Sequence, residues 1–225
     1  MTDAGLPTGL SDEVQRTLRP VRRLPAPWLR ALFLLPVGVL LLVTVPRVWS
    51  LRIDASAVGP ARLWVGSALQ IVVGLALVAS ALRESIPGRL SAPRTLGAWA
   101  ALGLGFMVIL TAATFIASPT HVPPRLEWVY FRTCVTRSFG LGLLPLGVAG
   151  LLLRRGLTAR PAAAGALAGL GAGLLADSSW RLFCEVSDPI HVLTAHAGAI
   201  LAVAAAGALA GRLSVAATEG SWRRP

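Results

Sequence analysis

The chain has 225 residues, of which 55% are hydrophobic and only 14% are charged, and its formal net charge of +11 comes entirely from arginine. Soluble domains carry about a quarter charged residues, so this composition argues against a soluble domain and is typical of a membrane protein. The arginines are scattered between apolar runs rather than gathered on one face, which argues against direct binding of nucleic acid.

The first segment of the chain, LSDEVQRTLRPVRRLPAP, precedes the first apolar run. Leu10, Val14 and Leu18 recur every four residues and would form one apolar stripe on a short helix. Ser11 could cap this helix, and Pro20 would end it. About ten residues are too few for a stable helix in isolation, so two interpretations stay open. The segment is either a basic tail that binds anionic lipid head groups or a helix that docks on a cytoplasmic partner.

Six apolar runs follow, each approaching the roughly 20 residues that a helix needs to cross a bilayer. Backbone groups in hydrocarbon must be hydrogen-bonded within their own segment, so the runs are predicted to be helices. The predicted fold class is therefore all-α, a multi-pass bundle of six transmembrane helices. The predicted domains are an N-terminal segment 1–27, a membrane domain 28–212 with spans 28–46, 63–82, 96–117, 138–153, 162–182 and 190–211, and a tail 213–225.

The distribution of arginine between the spans predicts their orientation. With the N-terminus inside, the inner segments hold fourteen of the 21 arginines and the outer segments hold seven. A two-to-one excess of positive charge on the inner side favours a cytoplasmic location for both termini. The first span also lacks the features of a cleaved signal peptide.

The two cysteines are both predicted at the outer side of the membrane, Cys134 at the outer mouth of the fourth span and Cys184 at that of the fifth. These spans are consecutive and antiparallel, so both thiols should face the same compartment at a similar depth. They could be two unrelated buried thiols, since cysteine behaves as a small hydrophobe. They could instead be a thiol-reactive pair, made more reactive by nearby Arg132, Arg137 and Arg181. The sequence leaves open whether they form a disulfide.

Other polar residues near the outer side were weighed as a metal or haem site. His191 and His196 are only weak candidates, because residues five apart point to different sides of an α-helix. No metal site and no cofactor are therefore predicted. Asp177 lies inside the fifth span, where a carboxylate is costly and needs a partner, and Arg181 one turn away is the predicted partner.

Three glycines, Gly165, Gly169 and Gly173, recur every fourth residue in the fifth span, and the sixth span repeats the spacing at Gly207 and Gly211. Small residues at this interval let two helix backbones approach closely. The pattern predicts helix packing, with the fifth span as the hub, rather than the lining of a pore.

Three stretches of the chain resemble the NrsF-like family of bacterial integral-membrane anti-sigma factors. They are LRPVRRLPAPWLR before the first span, the block from CVTRSFG to WRLFC that contains the LLLRRGLTARP turn, and AAAGALAGRL before the tail. The resemblance implies a protein of the bacterial inner membrane whose cytoplasmic N-terminal segment holds an extracytoplasmic-function sigma factor. It also implies that Cys134 and Cys184 take part in sensing an external signal.

The function predicted from this resemblance is regulation of transcription in a stress response. The protein would sequester the sigma factor and release it on an oxidative, metal or other stress signal. No nucleophile–base arrangement or phosphate-binding loop is present, so the protein is predicted not to be an enzyme. The alternative is a small membrane transporter or a metal- or haem-binding membrane redox protein. The predicted sigma-binding residues are Leu10, Val14, Leu18, Pro20, Val21, Arg22, Arg23 and Leu24.

Overall fold

The computed structural model describes residues 13, 16, 17, 24–86, 88, 90–121, 123–156 and 158–222, with side chains up to residue 214. The described part of the chain is built from helices and contains no strand. One helical turn, Pro189–His191, and a π-helical turn, Val192–His196, lead into the last long helix. The long helices are α1 (Pro27–Val48, which includes a 3-10 turn at Leu32–Leu34), α2 (Pro60–Arg83), α3 (Pro93–Ala117), α4 (Glu127–Leu153), α5 (Pro161–Trp180) and α6 (Ala197–Trp222).

Proline marks the start of most of these helices. A proline at the first helical position loses no hydrogen bond, and its fixed backbone angle suits the helix. The prolines that occupy such positions are Pro27, Pro60, Pro93, Pro124, Pro161 and Pro189. Helices α2 and α3 begin three residues before the predicted spans, and α1 and α5 begin one residue before theirs.

The fourth helix differs most from its prediction. The expected span 138–153 is the second half of a helix that begins at Glu127, so Cys134 lies inside α4 and not before it. Arg132 and Arg137 interrupt the apolar character of this first half, so hydropathy alone does not indicate it as part of the span. In the helix both arginines are exposed, while Cys134 and Ser138, one turn apart, are buried.

Five helical segments among the described residues are long and apolar enough to cross a membrane, and the protein is accordingly membrane-associated. Helix α5 is outside this set, although every residue from Leu167 to Trp180 is buried. Its side chains contact other helices rather than lipid, so glycine, alanine, serine and one aspartate replace large apolar residues. The helix that its neighbours cover most completely is therefore the centre of the bundle.

Glycines bring the backbone of α5 against its neighbours on two sides. A Cβ on Gly165 would overlap the carbonyl oxygen of Gly207 in α6, and a Cβ on Gly207 would overlap that of Gly165. Gly169 and Gly173 continue the same contact toward the C-terminal end of α5. On the opposite side, a Cβ on Gly171 would lie 2.5 Å from the carbonyl oxygen of Gly74 in α2.

One end of the bundle, here called the cysteine end, comprises residues 49–59, 118–126 and 181–190. The backbone N–H of Arg52 donates to the carbonyl of Leu182 at 2.9 Å, and the Arg52 side chain forms an ion pair with Asp54 at 2.5 Å. The hydroxyl of Ser118 donates to Asp54 at 2.8 Å. Burial opposes ionisation of Asp54, but the hydrogen bonds from Arg52 and Ser118 outweigh it and lower the pKa of that carboxyl.

The other end, here called the arginine end, comprises residues 84–86, 88, 90–92, 154–156 and 158–160 together with the start of α1. Arg30 of α1 is only 3% exposed. Its guanidinium donates to the Leu152 carbonyl at 2.5 Å and to the Ser85 hydroxyl at 3.4 Å. Arg160 donates to the Ser91 carbonyl at 2.9 Å. The hydrogen bonds of Arg30 thus connect the start of α1 to the ends of α2 and α4.

The glycine contact between α5 and α6 makes a first prediction. Gly165→Ala is expected to lower the free energy of unfolding by about 1–3 kcal/mol, because the added methyl group must push two backbones apart. The matched control is Gly147→Ala in α4, where a Cβ would meet no atom within 4 Å. Thermal unfolding of both variants in detergent measures the difference. Equal stability of the two variants would contradict the close contact.

Candidate functional site

The two cysteines lie side by side at the cysteine end of the bundle. The Sγ atoms of Cys134 and Cys184 are 3.6 Å apart, and both residues are free thiols. Their exposed fractions are only 3% and 4%, so neither is a surface thiol. Helix α4 positions Cys134, while the turn that follows α5 positions Cys184.

Two histidines complete a compact cluster with these thiols. The Nε2 atom of His191 is 3.9 Å from the Sγ of Cys184. The ring centroids of His191 and His196 are 5.7 Å apart. One ligand atom from each of the four residues lies within 4.8 Å of all the others, and all four residues are buried. The set is called the Cys–His cluster below; it comprises Cys134, Cys184, His191 and His196.

The expectation that the two histidines point to different sides of a helix is wrong. It assumed regular α-helical geometry, in which a separation of five residues does not return to the same side. Residues Val192–His196 form a π-helical turn, whose hydrogen bonds run from residue i to residue i+5. The wider turn brings His191 and His196 onto one side, facing the thiols.

A buried chain of hydrogen bonds holds His196 in place. Its Nδ1 donates to Asp177 at 2.6 Å, and Gln70 of α2 donates to the other carboxylate oxygen of Asp177 at 2.7 Å. Arg181, the predicted partner of Asp177, instead donates to the Thr114 hydroxyl at 2.7 Å. Arg181 lies close enough to Asp177 to interact with its charge, as predicted, but the side chains that hydrogen-bond to Asp177 come from α2 and the π-helical turn.

Apolar side chains enclose the thiols. Of the arginines predicted to activate them, Arg181 lines the cavity that borders Cys184, whereas Arg132 and Arg137 lie outside that cavity. Val45, Trp180, Val186 and Ala195 pack around the two cysteines as part of one buried cluster. The guanidinium of Arg137 lies over the ring of Trp49, 5.3 Å from its centroid. Arg132 is exposed. Imidazoles, rather than guanidiniums, are therefore the basic groups next to the sulfur atoms.

The loop after Cys184 is fixed by polar contacts. Tyr130 donates from its hydroxyl to the Glu185 carboxylate at 3.0 Å, and the Arg52 guanidinium donates to the Glu185 carbonyl at 3.1 Å. Asp188 accepts hydrogen bonds from the backbone N–H groups of Ile190 and His191, which caps the following turn. Burial opposes ionisation of Asp188, but His121 and these N–H groups outweigh it and lower the pKa of the Asp188 carboxyl.

Two openings adjoin the Cys–His cluster. A cavity of about 30 Å³ borders Cys184, Asp177 and His196 from the side of α3. A more open groove of about 580 Å³ runs along the surface to His191, with Glu127 and Asp188 in its walls. The groove thus reaches His191, one member of the buried cluster, from the surface of the cysteine end.

The predicted sigma-binding residues lie mostly outside the described residues. Leu24 is the exception, and it is 41% exposed at the arginine end, three residues before α1. The residues of this predicted set outside the described part are Leu10, Val14, Leu18, Pro20, Val21, Arg22 and Arg23.

Comparison with protein families identifies the chain. The family model described as "Negative regulator of sigma F" matches residues 15–216, which is most of the chain. The chain belongs to this family and is a negative regulator of a sigma factor, which is its partner. The match includes the Cys–His cluster and the juxtamembrane residues from Leu18 to Leu24, whereas Leu10 and Val14 precede it. No curated protein and no solved structure matches the chain.

The distance between the two thiols makes a second prediction. A membrane-permeant oxidant is expected to join Cys134 and Cys184 within one chain, because a small rotation brings atoms 3.6 Å apart to bonding distance. Mass spectrometry of denatured, alkylated protein should show the linked peptides. Cys134→Ser serves as the control and should retain one free thiol, which is alkylated without prior reduction. Disulfides formed only between chains would contradict the observed pairing.

Proposed function

We propose that this member of the family of negative regulators of sigma F is a multi-pass protein of the bacterial inner membrane that sequesters an extracytoplasmic-function sigma factor. Its N-terminal segment 1–27 would hold the sigma factor on the cytoplasmic side. A stress signal would act at Cys134 and Cys184 on the outer side and cause release. The observation that carries the proposal is the placement of the two thiols at the end of the bundle opposite to the start of α1.

The proposed topology has six spans, with α5 as the fifth and both termini in the cytoplasm. Alternation of the helices between the two ends of the bundle supports it, as does the two-to-one distribution of arginine in the sequence. Burial of α5 by other helices supports its role as a span, because a surrounded helix needs no lipid-facing apolar surface. The arginine end then corresponds to the cytoplasmic side, where Arg30 fastens the start of α1.

The proposed signal is a chemical change at the thiols. In the oxidative case, an external two-electron oxidant accepts two electrons from the two thiols, an S–S bond forms, and two protons are released. The bond would draw Cys134 of α4 toward the turn that ends α5. Both helices also reach the arginine end, where Leu152 of α4 accepts the hydrogen bond from Arg30. A shift of α4 would therefore change the position of the segment that binds the sigma factor.

The energetic requirement for such a switch is moderate. Moving a partner from 99% bound to 99% free takes about 5.5 kcal/mol of differential stabilisation. A disulfide contributes roughly 2–4 kcal/mol, so oxidation alone would shift the equilibrium substantially without inverting it completely. The contact between α5 and α6, which has close backbone packing and few large side chains, is suited to two discrete arrangements.

The transporter and haem alternatives are less well supported. Gln70 and Asp177, the strongly polar residues predicted within spans, hydrogen-bond to each other, and Asp177 also bonds to His196, so they do not line separate points of a path. The cavity beside the cluster, about 30 Å³, is far too small for a haem. Regulation of a sigma factor remains the function that the site and the family support best.

The proposed orientation predicts which end of the bundle faces outward. In a variant without the native cysteines, Ile53→Cys is expected to react with a membrane-impermeant maleimide on intact cells, because Ile53 is 86% exposed at the cysteine end. Arg154→Cys, at the exposed arginine end, is the matched control and should react only after lysis. The reverse pattern would overturn the proposed topology.

The proposed role of the N-terminal segment predicts the effect of changing its apolar stripe. Leu18→Asp is expected to abolish co-purification with the sigma factor and to raise transcription from a sigma-dependent promoter about tenfold or more, as deletion of residues 1–25 should. Gln15→Asp, off the apolar stripe, is the matched control. Membrane insertion of each variant is checked by fractionation. Unchanged repression after the deletion would contradict the sigma-binding role.

A further inference from the structure

We propose that the Cys–His cluster is a binding site for a tetrahedrally coordinated, thiophilic divalent cation of the Zn²⁺ type. The inference rests on the proposed function only in one respect, namely that the bound cation would be part of what the outer site senses. The four ligand atoms would be the Sγ atoms of Cys134 and Cys184 and the Nε2 atoms of His191 and His196.

The spacing of the ligand atoms fits such an ion. Metal–sulfur bonds of about 2.3 Å and metal–nitrogen bonds of about 2.0–2.1 Å place the corners of a tetrahedron about 3.4–3.8 Å apart. The two sulfur atoms are 3.6 Å apart, and the Nε2 of His191 is 3.9 Å from the Sγ of Cys184. All four atoms lie within 4.8 Å of one another, so movements of about 1 Å would complete the coordination.

His196 gives independent support for a ligand at this position. The residue is 2% exposed, and its Nε2 is buried without a hydrogen-bond partner among the described residues. Its other nitrogen, Nδ1, is held by Asp177 at 2.6 Å. Buried polar atoms are almost always satisfied, and a carboxylate on the far nitrogen is the usual arrangement behind a metal-binding histidine. A cation among the thiols would satisfy the Nε2 atom.

The π-helical turn is a second feature that a binding site explains. A π-helical turn is rare and occurs frequently at functional sites. Here it places His191 and His196 on the same side, toward Cys134 and Cys184. A disulfide between the cysteines would require neither imidazole. Because both imidazoles point toward the thiols, the arrangement of the four residues favours binding of a cation over formation of a disulfide.

The chemistry of the ligands and their surroundings limits the kind of cation. Two sulfur and two nitrogen ligands in a tetrahedron suit Zn²⁺ and similar thiophilic ions, whereas Mg²⁺ and Ca²⁺ require oxygen ligands. Trp180, Val186 and the other apolar side chains around the sulfur atoms exclude water from the site. The groove that ends at His191 offers a route from the outer surface, and the carboxylates of Glu127 and Asp188 in its walls attract cations.

Binding would connect segments that are otherwise separate in the chain. Cys134 belongs to α4, Cys184 to the turn after α5, and the histidines to the turns that precede α6. A cation would tie the outer ends of all three helices together. Gain or loss of the cation would then act on the same helices as oxidation of the thiols, and the two changes would compete, since both use the same sulfur atoms.

The test uses the purified full-length protein in detergent, fully reduced and stripped of metal, with Co²⁺ as a spectroscopic probe. One Co²⁺ per chain is expected, with the intense visible bands of a tetrahedral ion and the charge-transfer band of thiolate ligands, and Zn²⁺ should displace it. Cys134→Ser and His196→Gln should each weaken binding about tenfold or more. Arg154→Gln, which changes an exposed side chain at the arginine end, is the matched control and should bind as the unaltered protein does.

The Asp177→Asn variant distinguishes a residue that positions His196 from a residue that binds the ion directly. It should weaken Co²⁺ binding about 10–100-fold while the spectrum of the bound ion stays tetrahedral, because Asp177 orients His196 without contacting the ion. Gel filtration and thermal unfolding test whether each variant is folded. If His196→Gln does not fold, His191→Gln is measured in its place. Absence of Co²⁺ and Zn²⁺ binding to the folded protein, or binding unaffected by Cys134→Ser and both histidine variants, would overturn the proposal.

Retention of the sigma factor is measured on the same preparations in metal-free buffer. Retention without any metal binding would overturn the cation site and leave the proposed function standing. Metal binding without retention of the sigma factor would support the site and count against the proposed function. If the reporter in cells responds to added Zn²⁺ in the unaltered protein but not in His196→Gln, the cation is part of the signal; an equal response in both would refute that role.

Discussion

The buried carboxylate of Asp177 is the constraint on which the cysteine end of the bundle depends. An ionised group in the interior of a membrane protein is costly unless it is hydrogen-bonded on several sides. Gln70 satisfies one oxygen and His196 the other, so helices α2 and α5 and the turns before α6 must meet at this point. The same hydrogen bonds fix the ring of His196 and aim its remaining nitrogen at the thiols. Satisfaction of one carboxylate thereby sets the geometry of the Cys–His cluster.

Helix α5 connects the two ends of the molecule. It carries Asp177 near the cysteine end, and its glycines pack against the backbones of α6 and α2 along its length. Such backbone contacts leave little room for gradual adjustment, because no flexible side chains lie between the helices. A displacement at the cysteine end is then passed on as a movement of whole helices. At the arginine end, the buried contact between Arg30 and Leu152 lies next to the segment that is proposed to bind the sigma factor.

Because thiols and imidazoles lie in one enclosed cluster, the same site can react with an oxidant or bind a cation. Oxidation joins the sulfur atoms to each other, whereas a cation uses them as thiolate ligands, so each state excludes the other. The apolar shell around Cys134 and Cys184 restricts access to small reagents that can pass along the groove at His191. A regulator built in this way would respond to the chemistry of the external compartment and not to large molecules in it.

The sequence by itself determined the helical class, the approximate positions of the helices and the family. Runs of apolar residues have no stable alternative in a bilayer, and glycines at a spacing of four indicate close packing whatever the partner helix. Tertiary structure alone decided the site. The hydrogen-bond partners of Asp177 are 107 and 19 residues away in the chain. The spacing of residues on one helix, which favoured Arg181, cannot indicate such distant partners. The side on which His191 and His196 lie depended on a π-helical turn, which leaves no recognisable pattern in a single sequence. This turn packs against α4 and is tied to α5 by the hydrogen bond between His196 and Asp177, and both partners are distant in the chain.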